Sequence, residues 1–136
     1  MANYWLLKTE PSTYSFADLE RAKHVVWDGV TNALALKHLR SMKKGDRVFI
    51  YHTGDEKQIV GTASVTSDAY PDPRQSNPKL AVVDLSPQER LPRAVTLAEI
   101  KALSEFREFE LVRVGRLSVM PVSPSRWQKL MAMAGR

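Results

Sequence analysis

Trp27, Asp28, Gly29, Val30, Thr31 and Asn32 run consecutively, and no other stretch of this chain is so well equipped for chemistry. That chemistry is recognition rather than bond breaking. Asp28 can bond the backbone ahead of it, and Gly29 can take a positive φ without strain. Asn32 is a good N-cap for the run Ala33 to Arg40, which has helical character. Trp27 is therefore expected on a tight turn just before a helix N-terminus, where unpaired backbone N–H groups collect. An aromatic plate beside free donors suits a flat polar ring such as a nucleobase. Trp27 reads equally as a core residue that happens to precede a turn, since tryptophan is usually well covered. Trp5, Tyr14, Tyr51 and Trp127 add ring surface, while Ser12, Asn32 and Ser118 add hydrogen-bonding groups. Stacking on such rings contributes about 1–3 kcal/mol per base, enough for a recognition module without a catalyst.

Catalytic signals are sparse. The three histidines, His24, His38 and His52, have no metal-ligand spacing, so neither metal nor cofactor is expected. Glycine-rich phosphate loops and the GxSxG elbow are absent. His52, beside Tyr51 at the end of a strand, reads as a rim donor. Lys8-Thr9-Glu10 gathers an amine, a hydroxyl and a carboxylate, the raw material of a hydrolase. Three adjacent residues alternate in direction, however, and a structural loop accounts for them more simply.

The 136 residues are typical of one domain, and 43% hydrophobic content fits a globular core. There is no cysteine, and no long apolar run opens the chain. A cytoplasmic protein that does not engage a membrane is the expectation, with a monomer as the default state. The net charge of +5 points to a polyanionic partner. Its distribution is uneven: Lys37, Arg40, Lys43 and Lys44 cluster early, and Arg113, Arg116, Arg126, Lys129 and Arg136 follow late without an acid among them. The early cluster suits phosphate, or it is simply a solvated helix face.

The elements that must position these groups are short. Strands are expected at Asn3 to Lys8, Val25 to Trp27, Arg47 to His52, Gln58 to Thr66, Leu80 to Leu85, Arg90 to Val95 and Leu117 to Val122. Ser15 with Asp18, and Thr96 with Glu99, read as capping boxes. The helix from Ala33 extends to about Met42, and Ser125 can cap a last helix from Arg126 to Ala134. Ala69 to Pro78, with three prolines, reads as a loop. Hairpins mixed with short helices predict an α+β fold. Because Val48 to Ile50 is apolar on both sides, the sheet should be a mostly antiparallel barrel wrapped by helices.

Collinear blocks then carry a resemblance over nearly the whole chain. They are Tyr4-Trp5-Leu6-Leu7-Lys8-Thr9-Glu10-Pro11, Tyr14-Ser15, Trp27-Asp28-Gly29-Val30 with Asn32, Met42-Lys43-Lys44-Gly45-Asp46, Tyr51-His52, Ile59-Val60-Gly61, Tyr70-Pro71-Asp72, Val95-Thr96-Leu97 and Arg116 to Val122. The chain resembles the EVE domains of the PUA-like superfamily, with residues 1–136 forming a single such domain. The resemblance implies a PUA-like mixed, mostly antiparallel β-barrel flanked by short helices. It also implies a pocket that receives a modified base extruded from DNA or RNA, by analogy with the related YTH and SRA domains. Its pocket positions fall on Ser12, Tyr14, Trp27, Val30, Asn32, Tyr51, His52 and Ser118. Phosphate would meet Arg116 and the basic residues Lys37, Arg40, Lys43 and Lys44. Thr31 stands where many members have arginine, and Met120 where glutamine is frequent. The alternative is a hydrolase of modified nucleosides, similar to ASCH-type relatives and using Lys8, Thr9 and Glu10.

Overall fold

The computed structural model describes residues 2–136. In chain order the elements are β1 (Tyr4–Thr9), α1 (Phe16–Ala22), β2 (Val25–Trp27), α2 (Ala33–Arg40), β3 (Arg47–His52), β4 (Gln58–Val65), β5 (Tyr70–Pro71), β6 (Ala81–Thr96), α3 (Leu97–Lys101), α4 (Glu110–Arg113), β7 (Val119–Val122) and α5 (Pro124–Met133). A turn of 3-10 helix, Ser104–Phe106, precedes α4. The strands form a curled half-barrel in the order β2-β6-β4-β3-β1-β7, with β5 added to β6. Among the described residues only β1 and β3 run parallel, and the other pairings are antiparallel. The mixed, mostly antiparallel architecture is thus as expected.

Local chemistry fixes the helix starts. Ser15 Oγ accepts from the Asp18 N–H, and Asp18 returns a bond to the Ser15 N–H, closing the box expected there. Thr96 and Glu99 do the same for α3. The last helix starts earlier than expected: Ser123, not Ser125, caps it, because Pro124 takes the first helical position, where its missing N–H costs nothing. The two strands expected at Leu80 to Leu85 and Arg90 to Val95 are one, the 16-residue β6. Pro87 made that stretch look like a break. It pairs with Ala63 where the register with β4 shifts, and such irregularities are where sheets accept proline. The stretch from Ala69 to Pro78 is not wholly loop either, since Tyr70 and Pro71 pair with Val82 and Ala81.

Val48, Phe49 and Ile50 are all buried, as a strand covered on both faces requires. Trp127 of α5 stacks on Phe49 (ring centroids 3.9 Å apart) and on Tyr4 (4.6 Å), with the Arg47 guanidinium 5.0 Å from its ring. Its ring is spent on docking α5, not on a ligand. Gly61 lets α1 sit down on the sheet: a Cβ there would fall 2.4 Å from the Phe16 ring.

Trp5 is likewise committed. Its indole N–H donates to Asp46 Oδ2 at 2.9 Å. Asp46, 2% exposed, also accepts from the backbone N–H groups of Asn3 and Lys43, both at 3.0 Å. One carboxylate thereby ties the start of β1 to the turn that feeds β3. Asp46→Asn replaces one acceptor with an amide that faces donors. The expected loss is about 1.5–3 kcal/mol of stability, read from urea or guanidinium unfolding of both proteins.

Candidate functional site

The half-barrel does not close. β2 pairs with β6 along one edge only, and β1 and β7 lie at the far end of the same sheet. Curling brings these ends face to face across a cleft of about 1220 Å³. Val25, Val26 and Trp27 form one wall, and Lys8, Thr9, Arg116 and Ser118 form the opposite one. The turn from Asp28 to Asn32, with Tyr70, Asp72, Pro73 and Arg74, completes the lining. The cleft is the unpaired seam of the barrel.

The turn has the chemistry its sequence implies. Gly29 takes φ +79°, and nothing lies near where its Cβ would be, so conformation alone selects glycine there. Asn32 caps α2, its Oδ1 accepting from the Ala35 N–H at 3.0 Å, which leaves its amide NH₂ to donate. Trp27 turns out to be both things its sequence allowed. It is 9% exposed and belongs to the core, yet it lines the cleft. Tyr14 meets it edge-on at 6.3 Å, and its own hydroxyl is buried without a partner. Burial pushes the Tyr14 phenol up from its ordinary pKa.

Of the residues expected at the pocket, Tyr14, Trp27, Val30, Asn32 and Ser118 line the cleft, and so does Arg116. Ser12, Tyr51 and His52 are not among its lining residues. Ser12 is exposed, and both its N–H and its hydroxyl donate to the Glu10 carboxylate. Tyr51 is buried beneath Lys8, whose Nζ lies 5.7 Å from the ring centroid. His52 is 6% exposed and faces α1 rather than the rim: its Nε2 accepts from the Phe16 N–H at 3.0 Å, and its Nδ1 lies 2.9 Å from Glu56. It positions α1. Met120 is fully buried in the core, so its replacement of a glutamine leaves the cleft wall unchanged.

The charged groups sort differently from the sequence expectation. Lys37, Arg40, Lys43 and Lys44 are exposed but outside the cleft lining, and Arg40 bonds the Lys79 carbonyl at 3.0 Å. Inside the cleft stand Lys8, Arg74 and Arg116, opposed by Glu10, Asp28 and Asp72. Lys8 Nζ donates to the Gly115 carbonyl at 2.8 Å, and burial lowers its pKa. Glu10 is held below its ordinary value by its Ser12 bonds. The segment Tyr70 to Arg74 was missed as a contributor. Its residues were visible as a block, but nothing local shows that β5 folds the segment back toward Trp27.

Tyr70 secures that segment, its hydroxyl donating to Asp84 at 2.6 Å. The hydrogen bond to Asp84, with burial and the charge of Asp84, pushes the phenol up to about 12. The folded value lies above the unfolded one of about 10. The stabilisation is therefore complete below pH ~10 and is lost as pH rises through about 12. Chemical unfolding between neutral and alkaline pH should show this decline in the wild type and a smaller one in Tyr70→Phe.

The same architecture recurs in proteins of known structure and sequence. A Rhodopseudomonas palustris protein solved by NMR is 38% identical, with 98% of this chain and 94% of that one covered and a TM-score of 0.93. Human THYN1, solved in complex with DNA containing 5-methylcytosine, is 27% identical, with 99% of each chain covered and a TM-score of 0.88. Thymocyte nuclear protein 1 of Rattus norvegicus is 28% identical across 98% of this chain and 74% of its own length. Residues 3–133 match the model of the EVE domain, and the chain belongs to the EVE domain family.

Proposed function

We propose that this chain is a nucleic-acid-binding module that takes a modified nucleobase of DNA or RNA into the seam cleft. The observation that carries this reading is the placement of Trp27 and the capped α2 turn on one cleft with Ser118 and Arg116 opposite. Trp27 and Tyr14 supply ring surface, and Asn32 and Ser118 supply hydrogen bonds to a base edge. Val30 adds apolar lining. Arg116 is exposed at the cleft and has no acidic partner among the described residues, which suits a phosphate. Lys37 and Arg40 extend that charge along α2, where a backbone would run away from the cleft. The DNA complex of the human relative supports the partner class.

Entry of a base requires that it leave its stack. Leu34, in the first turn of α2 and two residues after the cleft residue Asn32, is 45% exposed. An apolar side chain there suits the gap that an extruded base leaves behind. The hydrolase alternative has weaker support. Lys8, Thr9 and Glu10 all line the cleft, but each is held in a structural bond: Lys8 to Gly115, the Thr9 hydroxyl to the Tyr14 carbonyl at 2.6 Å, and Glu10 to Ser12. Nucleophile, base and orienting group are not hydrogen-bonded to one another, as such catalysis requires.

Trp27 carries the prediction. Trp27→Leu keeps an apolar side chain in the core but removes the ring face. With the fold confirmed by circular dichroism, affinity for an oligonucleotide bearing the preferred modified base should fall by about 1–3 kcal/mol. Trp27→Tyr should retain most of the affinity. Equal affinity in all three proteins would return Trp27 to a purely structural role.

A further inference from the structure

Asp72 is a buried carboxylate whose second oxygen is free. Its side chain is 6% exposed, and it lines the cleft. Oδ1 accepts from the Arg74 N–H at 2.9 Å and lies 3.7 Å from Arg74 Nε. Oδ2 has no hydrogen-bond partner among the described residues. The Asp72 backbone is fully engaged, its N–H donating to the Leu80 carbonyl at 2.9 Å and its own carbonyl accepting from the Gln75 N–H at 3.1 Å. Arg74 reaches across the cleft to pair with Asp28 as well, so Asp72 shares its counter-charge with a second carboxylate. That oxygen is not enclosed and keeps contact with solvent in the cleft. An amino group there replaces water with a charge-assisted hydrogen bond, whereas a carbonyl oxygen in the same place adds repulsion.

The other polar groups on the cleft differ in kind. The Asn32 carbonyl oxygen is consumed by its cap, leaving an amide that can only donate. Ser118 has a hydroxyl that can donate too. Of the three carboxylates on the cleft, Glu10 and Asp28 are exposed and bonded to Ser12 and Arg74, so Asp72 is the one buried, fixed anionic acceptor, and it stands together with these donors. The complementary edge is an amidine, an exocyclic amino group beside an unprotonated ring nitrogen. Cytosine-type and adenine-type bases have it. Uracil, thymine and hypoxanthine set a carbonyl oxygen in place of that amino group, where it would face the carboxylate.

We infer that Asp72 is the specificity-determining residue of the cleft and that it selects a base carrying an exocyclic amino group. This rests on the base-binding reading above and adds the class of base. Aspartate accepting from the cytosine amino group is an established mode of base readout, and a good pairing of this kind discriminates by about 5- to 150-fold.

The test uses short duplexes with a single test base opposite an abasic site, so that no base pair must be broken. The pairs compared are 5-methylcytosine with thymine and adenine with hypoxanthine, read by fluorescence anisotropy. The wild type should prefer the amino-bearing member of the pair it binds more tightly, by roughly 5- to 150-fold. Asp72→Asn keeps an oxygen for the Arg74 N–H but turns the free oxygen into an NH₂ donor. In that variant the preference should vanish or invert, with the melting temperature showing that the fold is kept. Wild-type binding with no preference, or with preference for thymine or hypoxanthine, overturns the role of Asp72 and leaves the base-binding reading standing. Retention of the wild-type preference in folded Asp72→Asn does the same. Absence of wild-type binding to every duplex overturns both. Should the variant not fold, the wild-type preference decides alone.

Discussion

The sheet curls far enough for its two ends to face each other but has no strand to join them. β2 is three residues long and pairs only with β6, so its outer edge stays open. Unpaired strand edges are a liability that proteins cover, shorten or use. Here the edge is kept short and turned inward across the cleft from β1. Everything that lines the cleft follows from that geometry. Lys8 and Thr9 come from β1, Trp27 ends β2, and the turn after Trp27 leads directly into α2. The donors and rings meet because the barrel fails to close.

An open seam needs its walls fixed from behind, and buried polar groups do this. Asp46 joins the start of β1 to the turn before β3, helped by the indole of Trp5. His52 holds the first N–H of α1, while the Phe16 ring rests on Gly61. That places Tyr14, just upstream of α1, against Trp27. Tyr70 and Asp84 hold the remaining side. Bonds of this kind contribute about 0.5–1.5 kcal/mol each, and the cost of leaving a partner buried alone is larger. The cleft walls are therefore arranged before any ligand arrives, which lowers the ordering cost of binding.

Signals confined to a few consecutive residues were legible in the sequence. Both capping boxes, the Asn32 cap, the positive φ at Gly29 and the β3–β4 hairpin lie within short segments whose chemistry is local. β6 was not legible as one strand, because Pro87 is a breaker unless a register shift receives it, and that shift belongs to β4 as much as to β6. The site shows the same division. Trp27, Val30 and Asn32 announce themselves together. Ser12 and His52 looked equally available, yet each is consumed by a partner that sequence cannot reveal, Glu10 in one case and the start of α1 in the other. Arg74 and Asp72 went unassigned because they reach Trp27 and Asp28 only through the tertiary fold.

The chain also contains its own reporters for the central claim, that ligand enters the seam. Its three tryptophans occupy distinct settings: Trp5 is bonded to Asp46, Trp127 is stacked on Tyr4 and Phe49, and Trp27 lines the cleft. The most direct measurement follows the indole N–H signals of ¹⁵N-labelled protein by NMR during titration with a DNA oligonucleotide carrying one 5-methylcytosine. A saturable shift of the Trp27 signal is expected, with those of Trp5 and Trp127 nearly still. Saturable binding that leaves Trp27 unmoved, or that moves Trp127 instead, would contradict it.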